Sequence, residues 1–414
     1  MTNFLLNQAY YPKAYRKSDV EKIVKALLSF QPISIIGLPR VGLARILRFI
    51  LTHPELLCQK INSDKVLLIE IDLNDIFSTD EKGFWQLVLK RISDRGQGKD
   101  WGQLVEKLYV SAAGVNDSFT FFDNTKQSLE RVCNEGFRVF FFFNRFDRAL
   151  PLFSYRFFAH LQSLKDIAKT RINFLFTSNR SLEYLFPEVF KGGNLEVFSQ
   201  KYFLKPALKE DLAGSVIKEF EKSRKIRLSS AIRDFIYEYS GGHAQYTLLI
   251  LQALEKASFK TKDADFLLKS DGDILEQSKE IWDYLKQEEK ALLLSKDKVP
   301  SDHFLAQVGL IDAKGKIFSL LFAHFLQIQK EVGEHSGQEL TKKEKALLTI
   351  LKSNQGELVS REEIINFVWP EKPEEVNEWT LDQLVKRLRK KIKILKLPLQ
   401  IKTIKTQGYK LIPI

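Results

Sequence analysis

At 414 residues the chain is too long for one core and suits about two to four domains, and 44% hydrophobic with 28% charged residues is the composition of a folded protein. No apolar run approaches the ~18 residues of a membrane span, and Cys58 and Cys133 lack metal-ligand spacing, so they read as buried apolar residues in a reducing cytoplasm. The net charge of +12 predicts attraction to polyanions without saying which.

Met1 to Gln8 has neither a basic start nor a long apolar stretch, so no secretion signal is expected. A helix is expected from Val20 to Phe30, with Val20, Ile23, Val24, Leu27 and Leu28 on one face. After Pro32, the run Ile33-Ser34-Ile35-Ile36 enters the loop Gly37-Leu38-Pro39-Arg40-Val41-Gly42 and leaves into a segment of helical spacing. That is the strand, phosphate loop and helix order of a P-loop protein. A working loop reads G-x-x-x-x-G-K-[ST], because the Lys reaches the β and γ phosphates and the hydroxyl holds Mg²⁺. Gly37 and Gly42 keep the spacing, with Arg40 between them, while Leu43 and Ala44 occupy the Lys and Ser/Thr positions.

Lys65 to Asp72 reads as a second buried strand, and the segment to Glu135 mainly as helix and loop. Arg138 to Phe143 is a third strand, ending where P-loop enzymes carry an acidic pair; here Asn144-Arg145 stands there, leaving the metal-binding and water-orienting roles vacant. Arg145 is a candidate cation in place of the missing Lys, or else a surface or lid-contacting residue. A helix near Tyr155 to Lys169 and a strand from Arg171 to Arg180 follow. Strands alternating with helices imply an α/β fold, a parallel sheet with helices on both faces.

The segments I-I-G-x-x-x-x-G, F-F-F-F-N-R-F-D, F-L-F-T-S-N-R and Y-S-G-G-H-A-Q-Y-T-L-L occur in the order found in the AAA-related signal-transduction ATPases called STAND or archaeal-type ATPases. The chain resembles that family over residues 10–330, with degenerate motifs. The resemblance implies a polar sensor at Ser178 or Asn179 and a helical lid holding Gly-Gly-His, with Ala244 where a Pro often follows. Vestigial nucleotide contacts are thus expected at Gly37, Arg40, Gly42, Leu43, Ala44, Asn144, Arg145 and Asn179. No catalytic residue, metal ligand or cofactor is expected, residual binding of ATP or ADP being left open, and the chain reads as a pseudo-ATPase rather than an enzyme. The backbone amides between Gly37 and Gly42 still suit an anion, with poor affinity in the absence of the Lys.

The lid is expected as helices Lys209 to Lys222, Ser229 to Tyr239 and Gln245 to Ala257, with Ser240-Gly241-Gly242 as a helix stop. A polar connector, Lys260 to Gly272, leads to helices Ile281 to Leu294 and Asp302 to Val308 and a hairpin, Gly309 to Phe318, with Lys314-Gly315 at its tip. Together these suggest a small winged-helix-like module whose modestly basic wing serves packing. Glu331 to Gln338 reads as a polar linker.

In the last segment Thr341 with Glu344, and Ser360 with Glu363, form capping boxes ahead of two short helices. A third helix begins after Asn377, with Leu381, Leu384, Val385, Leu388, Ile392 and Leu395 on one face and Gln383, Lys386, Arg387, Lys390 and Lys393 on the other. A hairpin follows from Ile401. Asn377 to Ile414 holds ten Lys/Arg against two Asp/Glu, so this tail supplies 8 of the 12 net positive charges. A basic helix beside a basic hairpin is the footprint of a duplex-DNA reader. The same residues also fit a solvated basic helix. From Leu340 to Leu411 the segments L-T-K-K-E-K-A-L-L-T-I-L, G-E-L-V-S-R-E-E-I-I-N-F-V-W, T-L-D-Q-L-V-K-R-L-R-K-K and I-K-T-I-K-T-Q-G-Y-K-L resemble the OmpR/PhoB-type winged helix of response regulators. The resemblance implies DNA contacts from Thr380, Gln383, Lys386, Arg387, Lys390, Lys405, Tyr409 and Lys410.

The expected organisation is a P-loop NTPase-like domain over 1–204, a helical lid over 205–260, a winged-helix-like module over 261–332 and a winged-helix DNA-binding domain over 338–414. The leading reading is a cytoplasmic, DNA-binding transcriptional regulator on a P-loop scaffold that has lost hydrolysis. Double-stranded DNA is its partner, with protein partners for the P-loop and lid domains and no membrane. The alternatives are a weak NTPase switch and a non-enzymatic docking adaptor.

Overall fold

The computed structural model describes residues 15–58, 65–76, 78, 80–115, 117–149, 154–191, 198, 200–259, 261, 264–295, 297–312, 314–336, 340–371, 373–376, 378–394, 399–404 and 407–413. The chain divides into two compact units, Met1–Phe325 and Leu326–Ile414.

The first unit is built on a five-stranded sheet of β1 (Ile33–Gly37), β2 (Val66–Asp72), β3 (Arg138–Asn144), β4 (Ile172–Ser178) and β5 (Lys201–Leu204). The order is β2-β3-β4-β1-β5, and every pairing is parallel. Central strands buried on both faces must be apolar throughout. All of β1 and β4 are buried, and all of β3 after Arg138, whereas edge strand β2 alternates half-buried and buried residues. The phenylalanines of β3 alternate between the faces, and those of β4 share one face. Phe141, Phe143, Phe174 and Phe176 join one cluster with Phe84 and Trp85 of helix Glu81–Gly96, Phe121 of helix Ser118–Asn134 and Phe157 of helix Tyr155–Ile167. On the other face Phe140 meets Phe30, ring centroids 5.6 Å apart, at the end of helix Lys17–Leu28. Helices therefore cover both faces, as expected.

Strand β5 was not anticipated. Only Leu204 of its four residues is buried, so Lys201-Tyr202-Phe203-Leu204 carries too short an apolar signal to stand out from the lid sequence that follows.

Beyond β5 lie the helices Lys209–Leu212, Lys218–Arg224, Ser230–Ser240 and Ala244–Lys256, with a π-helical turn at Ala213–Ile217 joining the first two. Gly241 ends its helix with φ 59°, and a Cβ there would lie 2.0 Å from the Phe318 carbonyl oxygen, so the Gly serves close approach as well as the stop. Within the expected connector, Ala264–Ser270 is helical because Ala264 and Leu268 find apolar cover. Helices Gly272–Tyr284, Gln287–Ser295 and Phe304–Gln307 follow, then a tight turn closed by an antiparallel bridge between Ile311 and Ile317. Phe318 stacks on Tyr246 of the lid at 6.2 Å, which agrees with a packing role. The linker expected from Glu331 is helical as far as Ser336, inside Leu320–Ser336.

In the second unit, helices Lys342–Ser353, Arg361–Val368 and Glu378–Ile394 stand on a three-stranded antiparallel sheet of β6 (Leu358–Ser360), β8 (Gly408–Pro413) and β7 (Leu399–Ile404), in that order. Both capping boxes form as the sequence specifies. Leu381, Leu384, Val385, Leu388 and Ile392 pack on Leu347, Leu351, Ile364, Ile401 and Leu411. Strand β6 was not anticipated; it is three residues long and exists by pairing with β8.

No described helix is long and apolar enough to cross a membrane.

Candidate functional site

In open α/β sheets a crevice forms beyond the carboxyl ends of the strands where connections diverge to opposite sides. Here β1 lies between β4 and β5, and a cavity of about 440 Å³ opens past the ends of β1, β3 and β4. Its floor is Pro39, Arg40, Gly42, Leu43, Ala44 and Arg45 of the P-loop; Asn144, Arg145, Asp147 and Arg148 follow β3, and Thr177, Ser178 and Asn179 close β4. The lid supplies Ala244, Gln245 and Leu248. The fold thus brings all but Gly37 of the expected nucleotide contacts to one cavity. Gly37 is required for a different reason: a Cβ there would sit 2.8 Å from Val41 Cγ1, inside the loop's own turn.

Arg40 and Arg145 both adopt left-handed backbone, φ 58° and 57°. Non-glycine residues in that region cost about 1 kcal/mol or more and persist where surrounding contacts fix them. At Arg145 the fixing contacts are visible. Its amide donates to Thr177 Oγ1 at 3.0 Å, Thr177 donates to Asn144 Oδ1 at 2.9 Å, and Asn144 Nδ2 donates to Asp72 Oδ2 at 3.2 Å. The Arg145 guanidinium closes the network on the same Asp72 carboxylate.

The expectation for Arg145 therefore needs correction. It is not a free cation: its partly exposed side chain is ion-paired to the last residue of β2, which lies in register with Asn144. Sequence reasoning passed over Asp72 because it lies 73 residues from Arg145. Asn179 lines the cavity, and its amide donates to Asp147 Oδ2 at 3.4 Å; burial pushes the Asp147 carboxyl above its ordinary range.

The P-loop arginines face acids from outside the sheet. Arg40 Nε lies 2.8 Å from Glu280 Oε2, and Arg45 Nη1 lies 3.1 Å from Glu219 Oε2. The fully buried His243 ring meets the Pro39 carbonyl at 2.9 Å through Nε2. Burial holds His243 down at about 4, so the ring is neutral at ordinary pH. Just past the cavity, Arg180 makes a two-pronged pair with Glu289 at 2.7 and 2.6 Å, both buried, and lies 3.7 Å over the Phe304 ring. Burial acts to raise the Glu289 carboxyl, and the Arg180 contacts outweigh it and hold it low.

In the second unit, Lys386 and Arg387 are exposed on helix Glu378–Ile394, on the side away from its buried leucines, and Gln383, Thr380 and Lys410 are half-buried. Lys405 and the Lys390 side chain lie outside the described residues. Tyr409 is corrected from a DNA contact to a framework residue: it is 2% exposed, and its hydroxyl donates to Asp382. Burial first, then that bond, pushes its phenol up to about 12. Arg361 Nη1 donates to the same carboxylate at 2.8 Å. Arg389 donates to the Ile401 carbonyl at 3.0 Å and Thr403 Oγ1 at 2.7 Å, and Lys391 Nζ lies 2.8 Å from Glu344 Oε2. Two of the helix cations thus hold the helix to its own unit, which leaves Lys386 and Arg387 as the described helix cations facing outward.

Residues 335–411 match the family model "Transcriptional regulatory protein, C terminal". This segment is an OmpR/PhoB-type winged helix, a transcription-regulator DNA-binding domain. No curated protein matches the chain by sequence. Among solved structures it is similar to the Orc1 protein of Aeropyrum pernix in complex with DNA (TM-score 0.42, 9% identity, 98% of this chain and 90% of that one). It is also similar to the Aeropyrum pernix Orc2 protein in ADPNP–ADP complexes (0.44, 12%, 98% and 92%) and to the Walker-type ATPase PABY2304 of Pyrococcus abyssi (0.43, 12%, 98% and 96%).

The first unit has an α/β fold, an all-parallel five-stranded sheet with a phosphate-loop-like turn after β1. The expectation that the chain is not an enzyme is corrected: one of the solved structures to which it is similar is named a Walker-type ATPase. Leu43 and Ala44 are changes of two side chains on that fold and do not demonstrate loss of turnover.

Proposed function

We propose that the chain is a transcriptional regulator that binds duplex DNA through helix Glu378–Ile394 and the β7–β8 wing, with the cavity of the first unit as its ligand site. The observation that carries this reading is the outward pair Lys386 and Arg387, on a helix whose other face is locked into a core, within the segment that matches the regulatory family model. A helix so held presents its cations to the major groove while the wing lies against the adjacent backbone. The net charge of that tail supplies the electrostatic attraction. Fluorescence anisotropy of a labelled duplex at several salt concentrations tests the reading: affinity falls steeply with salt, and a flat response contradicts it.

A second reading, an NTPase switch, is favoured by the cavity at the strand ends, beside the phosphate-loop-like turn. Its mark is ATP turnover by the full chain that Arg145→Ala reduces.

A further inference from the structure

Helix Gly272–Tyr284 packs beside lid helix Ala244–Lys256, and a second cavity, of about 300 Å³, opens along the pair. The first helix lines it with Asp273, Glu276, Gln277 and Glu280, whose spacing puts all four on one helix face. Glu280 is engaged by Arg40 at 2.8 Å. Asp273 and Glu276 are exposed and have no ion pair among the described residues, so the groove is locally acidic on a chain of net charge +12. Leu249 of the lid helix supplies an apolar wall.

Exposed acids alone would read as a solvated helix face. Gln277 adds a second observation: it is 4% exposed, it lines the cavity, and its Nε2 has no hydrogen-bond partner among the described residues. The neighbouring Ser278, by contrast, is satisfied by the Tyr246 hydroxyl at 2.7 Å. A buried amide nitrogen without an acceptor costs free energy, which an acceptor entering from the cavity recovers. An occupant therefore needs positive charge for Asp273 and Glu276 and a carbonyl-type oxygen for Gln277. A metal ion is a poor match, since it offers no acceptor and no group of three His, Cys, Asp or Glu among the described residues could hold one. A polyamine is cationic but likewise brings no acceptor. A phosphate brings acceptors and meets two unpaired carboxylates. An arginine within a peptide meets both needs: its guanidinium fork serves carboxylates one helical turn apart, its methylenes lie on Leu249, and its own peptide carbonyl is the acceptor. The cavity volume stands at the lower end of small-molecule sites and suits one such side chain.

We propose that this groove receives an arginine side chain presented by a partner protein, with the guanidinium between Asp273 and Glu276 and the arginine's peptide carbonyl on Gln277 Nε2. The Arg40–Glu280 pair stays closed. Neither the cavity past the strand ends nor the DNA-binding helix takes part, so the site stands or falls independently of the regulator reading.

Titration of the full chain with the blocked peptide acetyl-Gly-Arg-Gly-amide, read by saturation-transfer NMR, is the test. The arginine peptide binds in the millimolar range, and its lysine counterpart binds about tenfold more weakly because an ammonium lacks the fork. The citrulline peptide, which keeps the shape and the carbonyl without the charge, does not bind. Free L-arginine, whose carboxylate enters beside Asp273 and Glu276, binds about threefold more weakly than the peptide. Asp273→Asn and Glu276→Gln each weaken peptide binding about threefold, as expected of exposed ion pairs, and Gln277→Met weakens it about fivefold by removing the donor. Where Gln277→Met fails to fold, as judged by circular dichroism, the double variant Asp273→Asn with Glu276→Gln, changed only at exposed positions, carries the test with a loss of about tenfold. A lysine or citrulline peptide that binds as well as the arginine peptide overturns the proposal. So do free arginine binding as tightly as the peptide, folded variants that bind like the parent chain, or no saturation transfer to the arginine peptide.

Discussion

His243, the residue just before lid helix Ala244–Lys256, reaches the carbonyl of Pro39 in the P-loop, 204 residues away, at 2.9 Å. Its Nδ1 accepts the Tyr246 amide at 3.4 Å as the cap of helix Ala244–Lys256, so Nε2 carries the proton and donates it to Pro39. One imidazole thereby starts a lid helix and ties it to the phosphate loop.

An unfolded His takes up its proton near 6.5, whereas His243 does so near 4. Between those values the unfolded state binds the extra proton, so stability is lost as pH falls through that window, by about 1.4 kcal/mol per unit. Urea unfolding of the first unit, followed between pH 7 and 5, shows this slope. In His243→Asn, which keeps a cap and does not titrate, the slope is reduced. An unchanged slope in the variant would assign the effect elsewhere.

Breaking the buried Arg180–Glu289 pair from one side leaves a buried charge without its partner. Arg180→Ala and Glu289→Ala are each expected to destabilise the first unit by about 3–5 kcal/mol, and Arg180→Met with Glu289→Leu by much less. Chemical unfolding of the three variants measures the difference, and a double variant as unstable as the singles contradicts it.

Lys386→Ala and Arg387→Ala are expected to weaken duplex binding and to lower the slope of log affinity against log salt by about 1 each. Anisotropy titrations at four salt concentrations resolve this. Because both side chains are exposed, the folded stability of the second unit stays within about 0.5 kcal/mol.

Tyr409→Phe behaves in the opposite way. Removing the hydroxyl leaves Asp382 with Arg361 alone and costs about 1–3 kcal/mol of stability. Salt dependence of DNA binding, measured where the variant remains folded, is unchanged. A changed slope would return Tyr409 to the DNA face.

The two capping boxes show how far local chemistry is legible. Thr341 with Glu344 and Ser360 with Glu363 are three residues apart, and a helix start needs no more than that to satisfy its amides. Strands β1, β3 and β4 were equally plain, since burial on both faces demands unbroken apolar runs. Edge strands β5 and β6 were not, because a strand of four or three residues takes its identity from the neighbour it pairs with.

The order of strands, loop and lid, and the basic character of the last helix, were determined by the sequence itself, because periodicity, glycine spacing and capping act over a few residues. Tertiary structure decided which charges remain available. It set Asp72 against Arg145, Glu219 and Glu280 against the P-loop arginines, and Asp382 against Tyr409. These partners lie between 27 and 240 residues apart, and only the packed sheet, lid and wing bring them within the few ångströms over which an ion pair or hydrogen bond acts.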